Sequence, residues 1–335
     1  RDWSSDVCSS DLAYALVARG KNAEALEKLN AVLAGDPTSE AAYDLRASLE
    51  AKQWIEISVA SDKLGEVVTQ LFGRAMPAAA AKTGDVAAID KLLEEARSAE
   101  WVVREKALRN LALNHGEYVV SRLWRDLGNS ETDRRVQAID WMRRMGSDAA
   151  LPLIQCLKAT EPMVRANAAS VLGMIGDHRA KPYLANAAAG DAEAIVKEAA
   201  ANALSKLGGA GSAIDEAVKL GAMYYARDPR AVNNYRIVYP VWSMDRDGEN
   251  LALNASEVPR DIYHLKLAEG LLFDALRWAP DHEAGRTLLA SVLLAEGEFG
   301  RGVSTDSVEA SAKAFLNAIN KIAVAGAGRT HPQHG

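Results

Sequence analysis

The chain has 335 residues, of which 49% are apolar, 25% charged and only 6% aromatic, with a formal net charge of −6. No apolar run approaches the ~18 residues that a membrane-spanning helix needs. Alanine-rich, aromatic-poor composition suits close helix packing better than a β-sandwich, which draws on Val, Thr and aromatic residues, so the expected class is all-α.

The opening segment, Arg1 to Leu12, is rich in Ser and Asp. Over its whole length it resembles the translation of a short-read sequencing adapter, and the helical pattern begins after it. Residues 1–12 are therefore expected to be a read-through artefact, with the natural N-terminus lost upstream. Cys8 leaves the inventory on that reading. Cys156, in the apolar stretch Leu-Ile-Gln-Cys-Leu, then has no intrachain partner and no neighbouring base to lower its pKa, so an inert core thiol is expected.

Residues 13–75 read as helical hairpins. Ala13, Leu16, Gly20, Ala25, Leu29, Val32, Leu33 and Pro37 alternate small, large and turn positions, and Tyr43 and Ala47 open another first helix. Gly20 allows a tight inter-helix turn, Ala25 a close approach, and Pro37 ends the second helix. This pattern resembles a tetratricopeptide (TPR) repeat. It recurs over residues 263–325 as Ala268, Leu272, Ala275, Leu276 and Pro280, then Leu289, Ala290, Leu293 and Gly297.

A different repeat occupies residues 76–221. Glu100/Arg104/Ala107/Leu111, Glu131/Arg135/Ala138/Met142, Glu161/Arg165/Ala168/Leu172 and Glu193/Lys197/Ala200/Leu204 share one register, about thirty residues apart. Eleven residues after each base stand His115 (with Gly116 next), Gly146, Gly176 and Gly208, where a left-handed residue can stop a helix. Pro152 and Pro182 fall in the first turn of the second helices, where a missing N–H costs little. The segments Val164 to Gly176 and Val196 to Gly208 resemble HEAT-like repeats of the phycobilisome-lyase type. The glutamate and base at i, i+4 are expected to act mainly in repeat registry, as an intrahelical pair of ~0.2–0.5 kcal/mol and a charge ladder between neighbours.

Residues 222–262 break the pattern, with Tyr224, Tyr225, Tyr235, Tyr239 and Trp242 in one short span interrupted by Pro229, Pro240 and Pro259. An irregular connector is expected. Two readings of its rings stay open: packing over the end of the repeat stack, or a Tyr- and Trp-rich recognition surface for a partner. Residues 326–335, with His331 and His334, read as a flexible tail.

Motifs for chemistry are weak. The six histidines have poor metal-ligand spacing. Some HEAT-repeat enzymes hold two irons with His-Glu dipeptides, whereas the single one here, His282-Glu283, lies outside the repeat block. Asp245-Arg246-Asp247-Gly248 looks like part of a calcium loop, but Ser243 and Asn254 stand at the first and closing ligand positions, so a plain turn is expected. Asn254-Ala255-Ser256 fits a glycosylation sequon that means little without a known compartment, and Gly326-Ala327-Gly328 lacks the strand and helix of a dinucleotide motif. Arg134, Arg135, Arg143 and Arg144 sit in a block, Glu100 to Gly208, of 15 bases against 13 acids, a balance that argues against nucleic acid.

The expected architecture is an α-solenoid of stacked hairpins, TPR-like, HEAT-like and TPR-like in turn. Its expected role is a non-enzymatic scaffold that binds a protein partner along the concave surface lined by second helices, with no cofactor or metal. The resemblance implies an alternative, a phycobilisome-lyase-like protein that attaches or chaperones a cofactor, and a lost upstream catalytic domain is another. The compartment is left open.

Overall fold

The computed structural model describes residues 4–232, 238–247 and 250–301. The chain forms two compact units, Arg1–Asp85 and Val86–Gly335. As composition predicts, the class is all-α, with helical hairpins stacked within each unit and one small β-ribbon in the second.

The first unit contains α1 (Ser4–Val17), α2 (Asn22–Ala34), α3 (Ser39–Ala47), α4 (Ala51–Ala60) and α5 (Asp62–Thr83). α1 begins before Leu12, so the helix takes in most of the segment expected to precede it, and Ser10 is buried with its hydroxyl 2.7 Å from that of Ser48. Gly20 adopts a positive φ of 72° in the α1–α2 turn. Ala13, Ala25, Leu29, Leu45, Trp54, Ile57, Leu64 and Leu71 form the core. The Trp54 indole donates to the Arg46 carbonyl at 2.9 Å and meets Phe72 edge-on, its polar tip satisfied inside an apolar cluster. α5 runs across the boundary expected at residues 75/76, because Ala75 and Ala78 on either side of it continue one buried stripe.

The second unit opens with α6 (Val86–Glu95), followed by four hairpins of a first and a second helix: α7 (Trp101–Asn110) with α8 (Tyr118–Leu123), α9 (Thr132–Met145) with α10 (Ala150–Cys156), α11 (Pro162–Ile175) with α12 (Lys181–Gly190), and α13 (Ala194–Lys206) with α14 (Ala213–Tyr225). First helices stack on first, as α11 on α13, and second on second, as α12 on α14. Gly146, Gly176 and Gly208 take positive φ at their turns, as expected. In the first hairpin the left-handed residue is Gly116, not His115. A π-helical turn over Leu111–His115 absorbs one extra residue there and shifts the turn by one position.

Glu100, Glu131, Glu161 and Glu193 are the N-cap residues of α7, α9, α11 and α13, with extended backbone and no side-chain cap bond. Among the described residues none of them forms an ion pair with the base four positions on. The arginines instead reach back to the loop before the helix: Arg104 Nη1 donates to the Ser98 carbonyl at 3.0 Å, Arg135 to that of Asn129 at 2.6 Å, and Arg165 to that of Ala159 at 2.9 Å. The offset is six residues each time, so the repeated base ties each inter-repeat loop to its own helix. Contacts between repeats come from other groups, such as Arg144 to Glu105 and Arg122 to Asp90, and from Arg165, which alone among the repeated bases also pairs with Asp191 in the next loop among the described residues.

Helix spacing is set most tightly where α11 crosses α13. A Cβ on Gly173 would lie 2.7 Å from Ala203 Cα and 2.8 Å from its Cβ, neither of which can swing away. Gly173→Ala is therefore expected to destabilise the unit by about 1–3 kcal/mol, although alanine is the better helix former by ~1 kcal/mol. Denaturant titration checks this; an unchanged or raised midpoint would mean that the two helices have room to part.

The stretch expected to be an irregular connector is largely regular. After α14 come β1 (Val238–Asp247) and β2 (Asn250–Pro259), an antiparallel pair in which Trp242 faces Ala255 and Asp247 faces Asn250, and then α15 (Arg260–Trp278) and α16 (Glu283–Arg301). Pro240 is compatible with a strand because both strands of a two-stranded ribbon are edges. Such a ribbon is marginal alone, and this one packs on α10 and α15. The rest of the 263–325 segment, residues 302–325, and the 326–335 tail lie outside the described residues.

Candidate functional site

The β-ribbon and α15 cover the face presented by the second helices. Trp242, on β1, donates its indole N–H to Glu117 Oε2 at 2.7 Å, both residues being buried, and packs edge-on against Tyr118 with ring centroids 5.4 Å apart. Tyr118 donates to Glu257 on β2 at 3.2 Å, and Arg125 donates to the Leu251 carbonyl at 2.7 Å. Further along, Lys158 after α10 and Tyr183 on α12 both reach Asp274 on α15. The surface expected to be an open trough for a guest is thus occupied by the chain's own residues. The energetic reason is apolar: Trp242, Leu253, Tyr263, Leu271 and Leu272 belong to the same buried core as the repeats.

This accounts for most of the aromatic candidates. Tyr224, Tyr239 and Trp242 are buried, and Tyr239 stacks on Tyr263 with centroids 4.4 Å apart. Their rings are spent on internal packing, so they offer no accessible surface to a partner. Tyr225 is exposed, and Tyr235 lies outside the described residues. Asp245 and Asp247 of the calcium-like motif, where a plain turn is expected, belong to the end of β1.

Between α10, α12, α14, β1 and α15 the packing leaves a recess of about 340 Å³. Asp274, whose side chain is 9% exposed, lines it. Asp274 Oδ2 accepts from Lys158 Nζ at 2.5 Å and from the Tyr183 hydroxyl at 3.0 Å, while Oδ1 accepts from Arg277 Nη1 at 3.1 Å. Burial, and then the Asp274 charge, push the Tyr183 phenol well above its usual range, so it remains a donor. Gly270 also lines the recess, and a Cβ built there meets nothing. Asp274, Lys158 and Tyr183 escape a motif search because they are far apart in sequence. A carboxylate among Leu271, Leu272, Ala275 and Leu276 is nevertheless a detectable signal, since a buried charge requires partners.

His264, buried at the start of α15, accepts a hydrogen bond on Nε2 from Arg227 Nε at 3.1 Å, which leaves the proton on Nδ1, an atom with no hydrogen-bond partner among the described residues. Burial first, then the Arg227 charge, lower its pKa from 6.5 to about 4, with Asp261 opposing. As pH falls below 6.5 the unfolded chain takes up the proton first, and the folded chain resists until about 4. The contribution of His264 to stability is therefore expected to be full above 6.5 and to be lost as pH falls toward 4. Denaturation midpoints at pH 7 and 4.5 check this, and His264→Phe is expected to flatten that part of the slope.

Other chemistry is sparse. Cys156 is fully buried, its thiol donating to the Pro152 carbonyl, and desolvation raises its pKa. Among the described residues there is no group of three or more His, Cys, Asp or Glu that could hold a metal ion, and no helix is long and apolar enough to cross a membrane. No curated protein matches the chain. Residues 120–205, from α8 to the end of α13, match the family model for HEAT repeats, so this stretch of the second unit is a HEAT-like repeat array.

Proposed function

We propose that the chain is a non-enzymatic scaffold that binds a protein partner, using the edge where the first helices of the HEAT-like repeats begin. HEAT repeats generally mediate protein–protein contacts, and the observation that carries the choice of surface is a row of exposed apolar side chains in matching register. Trp101 and Val102 are 66% and 68% exposed, Met163 39% and Ile195 46%. Each stands one or two positions after the N-cap glutamate of its helix. Asp133 interrupts the row, with exposed Val136 a turn further on. Apolar side chains repeated on one edge favour a protein partner, and the near-neutral charge of the block disfavours nucleic acid. On this proposal binding uses a different face from the second-helix trough, which the ribbon and α15 cover. The helical pairs over residues 13–75 and 263–301 are, on the same proposal, TPR-like.

Photo-crosslinking from Val102, Met163 and Ile195 in the full chain, in cells of its source, tests the reading. One polypeptide is expected to be captured at all three positions in roughly one-to-one amount. With the crosslinker at one of these positions, capture should be lost when the other two are changed to Asp. Capture that survives the change of the other two positions, or no defined polypeptide at any position, would overturn it.

A further inference from the structure

We propose that the recess between α10 and α15 binds a small amphipathic carboxylate, with its apolar tail inside and its charged head at the mouth between Lys158 and Arg277. The proposal does not rest on the scaffold reading. Three observations support it. The first is size, since about 340 Å³ falls within the usual range of small-molecule sites, ~300–1,000 Å³. The second is the wall: Ile154, Val241, Trp242, Leu267 and Phe273 make a mostly apolar lining, and at Gly270, which also lines the recess, a Cβ would meet open space. A tail placed there leaves the same water-excluding surfaces in contact with methylene groups.

The third observation is charge. Asp274 is shared by two cations, Lys158 and Arg277, and by a phenol. Arg179 in the same lining is held by Asp177, and Lys266 by Glu269 and Glu296. Among the described residues no second carboxylate pairs with Lys158 or Arg277, so the charge excess at that end is locally positive, whereas it is locally negative where Lys266 meets two glutamates. Both side chains reach solvent, at 33% and 71% exposure, while Asp274 stays inside. A carboxylate head seated on their outer side would complete the charge balance with charge-assisted hydrogen bonds. A neutral or cationic head would not.

Calorimetric titration of the full chain with decanoate, decanol and decylammonium, each below its micelle concentration, separates these cases. Decanoate is expected to bind one-to-one and decanol about tenfold more weakly, the loss of one charge-assisted bond. Decylammonium should not bind. Lys158→Met and Arg277→Met, both at solvent-accessible positions, should each bring decanoate down to the level of decanol. Gly270→Leu, whose Cβ meets nothing within 4 Å, should abolish binding of all three with an unchanged thermal melt. The proposal is overturned if decanoate does not bind, if decanol binds equally well, or if Gly270→Leu leaves binding intact.

Discussion

Trp242→Ala is expected to cost the second unit about 3–5 kcal/mol, the usual range for truncating a buried indole to a methyl group. The side chain is 6% exposed and holds the β-ribbon against the repeats at two points, through the Glu117 bond and through the Tyr118 ring. Ala255 and Ser243, its cross-strand and sequence neighbours, are too small to fill the space it would leave. A ribbon of two strands has little stability of its own, so its loosening should be detected before global unfolding. The expected readout is faster amide exchange over Val238–Asp247 and Asn250–Pro259 under native conditions, with a lowered denaturation midpoint. Trp242→Phe separates the two attachments: it keeps most of the ring packing but removes the N–H that Glu117 accepts, and about 1–3 kcal/mol is expected. If Trp242→Ala leaves exchange in both strands unchanged, the ribbon is held by other contacts and the account of the covered face fails.

How far such features could be read from the sequence depended on whether their physics is local. The turns at Gly146, Gly176 and Gly208 were legible because a positive φ restricts the residue type at a fixed distance from the helix start. The shift to Gly116 was not, since a π-helical turn leaves no compositional mark at Leu111–His115. The ribbon did leave one: Val238, Tyr239, Val241 and Trp242 are strand formers, and Asp247-Gly248 is a strong hairpin signal. Pro240 and the cluster of rings drew attention to interruption and recognition instead. Ribbon pairing is decided by what it packs on, here α10 and α15, and that lies far along the chain. The Asp274 cluster is the extreme case, joining residues 158, 183, 274 and 277. Only the buried charge on an apolar helix face announced it. The row of Trp101, Val102, Met163 and Ile195 lay within reach of the repeat register, but apolar residues beside a helix start look like core until burial is known.

Arg165→Ala should be the most damaging change at the repeated basic position, at about 3–5 kcal/mol. The sequence pattern makes Arg104, Arg135, Arg165 and Lys197 equivalent, and the structure does not. Arg165 bonds the Ala159 and Thr160 carbonyls at 2.9 Å each, and also grips Asp191 through two parallel bonds of 2.8 Å. Side-chain exposures of 13% and 11% leave that pair little water to fall back on. Losing the guanidinium would strand Asp191 in the loop between α12 and α13 with the backbone N–H of Glu193 as its remaining donor among the described residues. Arg135, with one loop carbonyl and the exposed Thr132 hydroxyl, supplies the comparison: Arg135→Ala is expected to cost about 1 kcal/mol. Arg165→Lys keeps the charge but not the fork and should fall between the two. The Arg165 bond also holds the Asp191 carboxyl below its usual value. That part of the stability is present above the unfolded carboxylate pKa and is lost as pH falls through the lowered folded one, so Arg165→Ala should blunt the acid limb as well as lower the midpoint. A double-mutant cycle with Asp191→Asn isolates the pair, with an expected coupling of about 1–3 kcal/mol. A coupling near zero, or equal costs for Arg165→Ala and Arg135→Ala, would mean that the base serves only its own loop and that the stacking of one repeat on the next depends on the apolar stripe alone.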